Sequence, residues 1–206
     1  MSKEHKAVCV IAWPAGHSRS PIIHNYWIKQ HKLDAEYRRE GVPPEKFADF
    51  VSNLRANGYI GAKISVPHKE VALKLTEPDD RARAVGAANA LWYDDDRLRS
   101  TNTDVEGFLA NLDAATPGWD RGLSTAVVLG AGGGARAVIF ALLAREVGRV
   151  YVINRTVERA KALQKKFGNR LQVVSWDETT GLLGGGGLLV NTTTLGMVGQ
   201  PPLELN

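Results

Sequence analysis

A glycine-rich turn in the middle of the chain has a spacing suited to binding phosphate groups. A strand-like run, Thr125 to Leu129, leads into Gly130-Ala131-Gly132-Gly133-Gly134-Ala135 and then into an alanine-rich helix. In this G-x-G-x-x-A form, the first glycine permits a tight turn, the second lets the backbone approach a pyrophosphate, and the alanine allows close helix–strand packing. The amides at the helix start, those of Gly133 and Gly134, would face the anion. The turn therefore predicts dinucleotide binding.

The end of the next strand favours NADP over NAD. That strand, Arg149 to Ile153, runs into Asn154-Arg155-Thr156, where a site for NAD would carry a carboxylate for the ribose 2′-hydroxyl. A guanidinium can instead hold a 2′-phosphate through two hydrogen bonds and stack on adenine. Arg159, one turn further on, can help. The alternative, a solvated Arg155, is disfavoured because a cation at a helix start opposes the helix dipole.

Three clusters in the first half of the chain place polar side chains at predicted helix starts. Ser18 and Ser20 precede or begin a helix and could bind a carboxylate, although Ser20 could simply cap the helix. Lys69 follows a buried strand in Ser65-Val66-Pro67-His68-Lys69, and Asp104 follows Asn102-Thr103. Capping of the helix would by itself explain the acid at Asp104.

Taken in order, these motifs resemble those of the shikimate dehydrogenases. The matching segments are Pro14 to Asn25 for the opening H-S-x-S-P-x-x-H-N motif, Lys63 to Lys69 for N-V-T-x-P-x-K, Ala84 to Asn89 for A-V-G-A-x-N, Asn102 to Phe108 for N-T-D-x-x-G-F, Gly130 to Ala137 for the glycine turn, Asn154 to Thr156 for N-R-T, and Asn191 to Met197 for N-T/A-T-x-x-G-M. The resemblance spans nearly the whole chain. It implies an N-terminal α/β substrate domain with a mainly parallel sheet, followed by a Rossmann-like NADP-binding domain.

The resemblance also implies roles for individual residues. In these roles Lys69 and Asp104 are the catalytic, proton-transferring pair, and Ser18 and Ser20 bind the substrate carboxylate. The alternative for Lys69 and Asp104 is a structural ion pair between helix starts, worth only ~0–1 kcal/mol if exposed. The remaining matched positions are Ser65, Asn89 and Asn102 at the ring hydroxyls, Met197 near the nicotinamide, and Gly130, Gly132, Gly133, Gly134, Ala135, Asn154, Arg155, Thr156 and Arg159 at the cofactor. The implied reaction is the NADP-dependent interconversion of 3-dehydroshikimate and shikimate, in the biosynthesis of chorismate and the aromatic amino acids. A quinate or aminoshikimate dehydrogenase and a catalytically silent NADP(H)-binding module are the alternatives.

Several positions depart from the family pattern. Lys63 stands where the family motif has asparagine, which adds a charge near Lys69 and could alter recognition of the ring hydroxyls. Ala12 replaces a glycine, Ser65 replaces a threonine, and Val105 replaces a common glycine. The sequence stops at Asn206, shortly after Met197, so we expect the cofactor domain to be truncated relative to the family.

Short apolar runs alternate with helical stretches along the chain, which is typical of an α/β protein. Strands are predicted over Ala7 to Ala12, around Tyr37, and over Tyr59 to Ser65, Ala88 to Tyr93, Thr125 to Leu129, Arg149 to Ile153, Leu171 to Val174 and Leu188 to Asn191, with helices between most of them. The segment 115–120 is expected to be a linker, giving a substrate domain over 1–116 and a cofactor domain over 117–206. The glycine run 184–187 is expected to be a surface loop.

Composition excludes several other classes of protein. The 206 residues are 44% hydrophobic and 23% charged, which suits a packed core. The net charge of +4 comes from 16 basic and 13 acidic side chains in residues 1–100 and from 10 and 9 in the rest. The two signs interleave along the chain, so no nucleic-acid partner is expected. The spacing of His17, His24 and His31 does not suit a metal site. With one cysteine and no apolar run near ~20 residues, we expect a cytoplasmic monomer or homodimer without a membrane partner.

Overall fold

The computed structural model describes residues 6–183 and 187–205, and their contacts divide the chain into two units, Met1–Asn102 and Thr103–Asn206. The first unit contains β1 (Lys6–Ala12), α1 (Ser20–Gln30), β2 (Ala35–Gly41), α2 (Pro44–Ser52), β3 (Tyr59–Ile64), α3 (Lys69–Leu75), β4 (Glu77–Pro78), α4 (Asp80–Val85), β5 (Ala90–Asp94) and β6 (Arg97–Thr101). The second contains α5 (Asp104–Ala115), β7 (Thr125–Leu129), α6 (Gly133–Ala144), β8 (Arg149–Ile153), α7 (Val157–Phe167), β9 (Leu171–Val173), α8 (Thr179–Leu183) and β10 (Leu188–Asn191).

The sheet of the first unit has the order β2-β1-β3-β5-β6-β4. Strand β1 is parallel to β2 and β3, β5 is antiparallel to β3 and β6, and β4 is parallel to β6. Alternate residues of β1, such as Cys9 and Ile11, are buried with Ile64 of β3 and Phe47 of α2 in one hydrophobic core. This alternation fixes which side chains of the central strands lie on the opposite face.

The sheet of the second unit is wholly parallel, in the order β10-β7-β8-β9. Residues 126–129 of β7 are fully buried, as expected for a parallel strand that is covered on both faces. Helix α6 is rich in alanine, and Ala135 lies in the same core as Ala126 and Val128. The strand–turn–helix–strand unit predicted around the glycine turn is therefore present, with β8 ending at Ile153 as predicted.

Most predicted elements are present, but several boundaries differ. Helix α1 begins at Ser20, so Arg19 and not Ser20 occupies the N-cap position, and the Ser20 amide donates a 3.4 Å hydrogen bond to Ser18 Oγ. Helix α3 begins at Lys69, two residues after Pro67. The short elements β4, α4 and α8 were not predicted, because each spans six residues or fewer and shows little periodicity.

Helix α5 belongs to the second unit by its contacts. Phe108 packs against the core of that unit, and Arg145 of the loop after α6 forms ion pairs with Asp113 and, at 2.8 Å, with Asp120. The segment 115–120 is a turn tied back to α5, since Trp119 Nε1 donates to Asp113 Oδ1 at 2.9 Å. The boundary between substrate and cofactor domains at 116/117 stays a prediction.

None of the helices among the described residues combines the length and the apolar character needed to cross a bilayer. No group of three or more histidine, cysteine, aspartate or glutamate side chains among these residues is arranged to hold a metal ion. The first three glycines of the run 184–187 lie outside the described residues.

Candidate active site

The end of β3 positions Ser65 and Lys69. The Ser65 amide continues the sheet by donating to Ile11 O at 2.9 Å, and the His68 amide donates back to Ser65 O at 3.0 Å. The His68 ring is buried, stacks on Phe47 at 4.2 Å, and places Nε2 2.8 Å from Val42 O. Burial lowers the pKa of His68, with the Val42 carbonyl opposing this. The His68 ring, fixed by these contacts, therefore anchors the first residue of α3, which is Lys69.

Asn89 and Asn102 lie at the same end of the sheet, and both are buried. The amide of Ala88 donates to Lys69 O at 2.9 Å, and the amide of Ile64 donates to Asn89 O at 2.8 Å. The side chain of Asn102 donates to Ala87 O at 2.9 Å. Hydrogen bonds thus bring together the backbone around four predicted site residues, namely Ser65, Lys69, Asn89 and Asn102.

The two serines at the start of α1 are each held by a cationic side chain. Lys63 Nζ donates to Ser20 Oγ at 3.2 Å, and Arg39 Nη2 donates to the Ser18 carbonyl at 2.6 Å. Asn25 fixes the helix to the sheet, because its side chain exchanges two 2.8 Å hydrogen bonds with the backbone of Tyr37. The predicted anion site therefore has both hydroxyl donors and positive charge.

Asp104 is the first residue of α5, after Thr103 at the N-cap position, and belongs to the second unit. The Thr103 side chain does not cap this helix. The pairing of Asp104 with Lys69 of the first unit stays a prediction.

The glycine turn connects β7 to α6 as the sequence predicted. Gly130 has φ +108°, and a Cβ there would lie 2.6 Å from Thr192 Oγ1, so only glycine fits. Gly132 is the N-cap of α6, and a Cβ there would meet no atom within 4 Å. The open space beside Gly132 and the helix start at Gly133 suit an anionic group approaching the backbone.

A cavity of about 580 Å³ lies beside this turn in the second unit. Its lining residues are Ile153, Asn154, Arg155, Val157, Val174, Ser175, Trp176, Thr193, Thr194 and Leu195. Arg155 is exposed, while Asn154 donates from Nδ2 to Thr156 O at 2.8 Å and so shapes the turn into α7. Arg159 reaches back to Ala131 O at 3.4 Å, which links α7 to the glycine turn.

Residues 193–195 form one wall of the cavity, and hydrogen bonds from Asn191 hold this segment in place. Asn191 Oδ1 accepts from the Thr193 amide at 2.9 Å, and Asn191 Nδ2 donates to Leu195 O at 3.0 Å. Met197 lies beyond this turn, partly exposed, and does not line the cavity. Its predicted place near a nicotinamide stays a prediction.

Sequence reasoning missed most of the cavity wall. Val174, Ser175 and Trp176 directly follow β9, and Thr193 follows β10. In open parallel sheets, ligands bind outside the carboxyl ends of the strands. The position of these residues directly after a predicted strand was therefore the sequence signal that could have identified the cavity wall.

Two family descriptions match this chain. The shikimate dehydrogenase substrate-binding domain matches residues 10–91, and the shikimate/quinate 5-dehydrogenase family matches residues 120–194. A curated relative from Rhodopseudomonas palustris (strain TIE-1), named shikimate dehydrogenase (NADP(+)), is 58% identical over all 206 residues, which cover 74% of its length. The chain belongs to the shikimate dehydrogenase family.

Solved structures agree with this shikimate dehydrogenase assignment. The crystal structure of shikimate dehydrogenase from Aquifex aeolicus matches with a TM-score of 0.85 and 32% identity, covering 98% of this chain and 74% of that one. The enzyme from Thermus thermophilus, solved with NADP(H) and shikimate, matches with a TM-score of 0.74 and 34% identity, covering 93% and 70%. The family resemblance and the α/β fold with a Rossmann-like domain, both predicted from the sequence, are confirmed, and the chain spans about three quarters of these relatives.

Proposed function

We propose that this chain is an NADP-dependent shikimate dehydrogenase that interconverts 3-dehydroshikimate and shikimate in the biosynthesis of chorismate and the aromatic amino acids. The observation that carries this proposal is the hydrogen-bonded arrangement of Ser65, Lys69, Asn89 and Asn102 at the end of β3. It is supported by the R. palustris relative and by the T. thermophilus structure in complex with NADP(H) and shikimate.

The first unit would bind the substrate through polar groups of different kinds. Ser18 and Ser20 would hold the carboxylate, since hydroxyls at a helix start are good donors to an anion. Ser65, Asn89 and Asn102 would hydrogen-bond the ring hydroxyls. Because Asn89 and Asn102 are buried, their positions are fixed before the substrate binds, which lowers the entropic cost of binding.

Lys69 would supply the proton, and Asp104 would orient the Lys69 ammonium. Bound NADPH supplies a hydride to the ring carbonyl carbon. As negative charge grows on the carbonyl oxygen, the Lys69 ammonium stabilises that charge and transfers a proton to it, giving the alcohol. The Asp104 carboxylate would hold the ammonium in place by a charge-assisted hydrogen bond. In the reverse direction, neutral Lys69 accepts the hydroxyl proton.

The second unit fits the dinucleotide. The open space at Gly132 and the start of α6 suit a pyrophosphate, and the exposed Arg155 at the cavity suits a 2′-phosphate. Gly130, Gly134, Ala135, Thr156 and Arg159 would shape this site, with Met197 near the nicotinamide. A carboxylate, which would repel the 2′-phosphate, is absent from the matched positions 154–156.

The test is steady-state turnover of shikimate with NADP, compared with quinate and with NAD. We expect activity with shikimate and NADP, and we expect Lys69→Ala to remove turnover by at least about 100-fold, the typical contribution of acid–base catalysis. Lys74→Ala, at the other end of α3, is the matched control and should keep the parental rate.

Cofactor binding separates the alternatives in this test. Lys69→Ala should bind NADPH as tightly as the parent, measured by nucleotide fluorescence. NADPH binding by the parent without turnover of any substrate would identify a catalytically silent binding module. Faster turnover of quinate than of shikimate would identify the quinate-oxidising alternative.

Compartment and assembly are also proposals. A cytoplasmic location is supported by the single cysteine, Cys9, which is buried and forms no disulfide. A monomer or homodimer without nucleic-acid or membrane partners is expected, and light scattering after gel filtration would measure its mass.

A further inference from the structure

Lys63 and Arg39 lie on the same face of the first sheet, on either side of Val10. In the register of the first sheet, Val10 of β1 pairs with Arg39 of β2 on one side and with Lys63 of β3 on the other. Residues paired in this way share a face of the sheet. Ala62 and Ile64, on either side of Lys63 in sequence, are buried in the core on the opposite face. Lys63 therefore projects from the face on which α1 packs.

Helix α1 brings the anion-binding serines to this face. Lys63 Nζ donates to Ser20 Oγ at 3.2 Å, while Arg39 holds the Ser18 carbonyl. A serine hydroxyl that accepts a hydrogen bond keeps its own proton for donation, and a charged donor strengthens that donation. The bond from Lys63 thus prepares Ser20 to donate to an anion, and it places a positive charge 3.2 Å from the hydroxyl that would make this donation.

The Tyr37 hydroxyl provides an independent sign of a ligand at the same place. Tyr37 is only 7% exposed, and its Oη forms no hydrogen bond of good geometry among the described residues. The pKa of this hydroxyl is raised by burial and by Cys9 and is lowered by its polar contact with the Ser20 hydroxyl, which lies beside it. Buried hydroxyls normally have a partner. A ligand oxygen at Ser20 would supply one.

The charge near the site is positive. The His24 ring stacks on Tyr37 at 4.3 Å, and the pKa of His24 is lowered by burial and by the positive charge of Lys63. Both effects disfavour the charged form of His24, and Lys63 is the charged group hydrogen-bonded directly to Ser20. The family motif quoted above has a neutral asparagine at this position, so the ammonium is a departure from that pattern.

We infer that Lys63 is a specificity-determining residue that binds the substrate carboxylate together with Ser18 and Ser20. This inference rests on the proposed function and deepens it. An ammonium in contact with a carboxylate forms a charge-assisted pair, whereas an asparagine amide can offer only a neutral hydrogen bond. The sequence left open whether Lys63 alters recognition of the ring hydroxyls; its bond to Ser20 points to the carboxylate instead.

The test compares an anionic ligand with its neutral counterpart. Binding of shikimate and of shikimate methyl ester is measured by calorimetry on the full chain, at low and high salt. We expect Lys63→Met to weaken shikimate binding about tenfold, the loss of one charge-assisted hydrogen bond, and to change ester binding by less than about twofold. The salt dependence of shikimate binding should decrease in the same variant.

Two further variants keep the result interpretable. Lys63→Arg retains the charge and should keep most of the preference for the acid over the ester. Lys46→Met, an exposed position on α2, is the matched control and should bind both ligands like the parent. Thermal melting of each variant checks that the first unit is folded, and an unfolded Lys63→Met variant is replaced by Lys63→Gln.

The outcomes separate this inference from the proposed function. If the parent binds neither shikimate nor its ester, the proposed function is overturned and this inference with it. If the parent binds shikimate but the neutral Lys63 variant loses acid and ester equally, or loses neither, the inference alone is overturned. Selective loss of the acid supports it.

Discussion

The Tyr37 hydroxyl is a polar group that the first unit buries without a partner among the described residues. An unsatisfied buried hydroxyl costs stability, so Tyr37→Phe should raise the free energy of unfolding by about 1 kcal/mol. If the hydroxyl serves the ligand, the same variant should bind shikimate more weakly. Urea denaturation and calorimetry measure the two effects.

Tyr59 is the matched control for Tyr37. Its hydroxyl donates to Glu40 Oε1, so Tyr59→Phe leaves that acceptor without its partner and should lower the free energy of unfolding. A Tyr37→Phe variant that loses as much stability as Tyr59→Phe would show that the Tyr37 hydroxyl already has a good partner, which would remove it from the ligand argument.

Arg155 is the residue that should distinguish NADP from NAD. It is exposed at the edge of the cavity, in the turn between β8 and α7. Removing a guanidinium from a phosphate costs one or two charge-assisted hydrogen bonds, so Arg155→Ala should raise KM for NADP about tenfold or more. KM for NAD should stay within about twofold.

Arg149 provides the control for this comparison, since it is an exposed arginine at the opposite end of the same strand. Arg149→Ala should leave both KM values unchanged. Equal increases for NADP and NAD in Arg155→Ala would mean that Arg155 supports the turn and does not contact the 2′-phosphate.

At the scale of elements, the two glycines of the β7–α6 turn have separable roles. Gly130→Ala would require a left-handed backbone and place a Cβ 2.6 Å from Thr192 Oγ1, so it should destabilise the second unit by about 1–3 kcal/mol. Gly132→Ala has ordinary φ and open space around it, so stability should be kept while the new methyl group weakens NADPH binding.

Urea denaturation and nucleotide fluorescence on both variants check this separation. Unchanged stability of Gly130→Ala would contradict the contact with Thr192. Full NADPH affinity in a stable Gly132→Ala variant would show that the dinucleotide does not approach the backbone there.

Features that are encoded by neighbouring residues were predictable from the sequence, whereas contacts between distant positions were not. Strands β1, β7, β8 and β10 follow from short apolar runs, and the glycine turn follows from backbone requirements that few residues meet. The contact of Lys63 with Ser20 was not predictable, because it joins positions 43 residues apart and depends on the register of β1 with β3. Likewise, Trp176 contributes to the cavity through strand order, which no local pattern encodes.

At the scale of the whole molecule, the two units should respond differently to acid. All five histidines lie within the first 68 residues, and the pKa values of His24 and His68 are lowered, chiefly by burial. A histidine whose folded pKa lies below its ordinary value of 6.5 binds fewer protons when folded than when unfolded. Its contribution to stability is therefore present above about pH 6.5 and is lost as the pH falls below that value.

We expect the amides of the first unit to lose protection against hydrogen exchange selectively when the pH is lowered from about 7.5 to about 5.5. This window spans the ordinary histidine pKa. Hydrogen exchange of the full chain, corrected for intrinsic rates, reports each unit separately. His68→Gln keeps a donor for the Val42 carbonyl but does not titrate, so it should reduce the pH dependence while lowering stability at neutral pH through loss of the Phe47 stack. Equal acid sensitivity of β7 and β1 would show that carboxylates common to both units, and not these histidines, control the response.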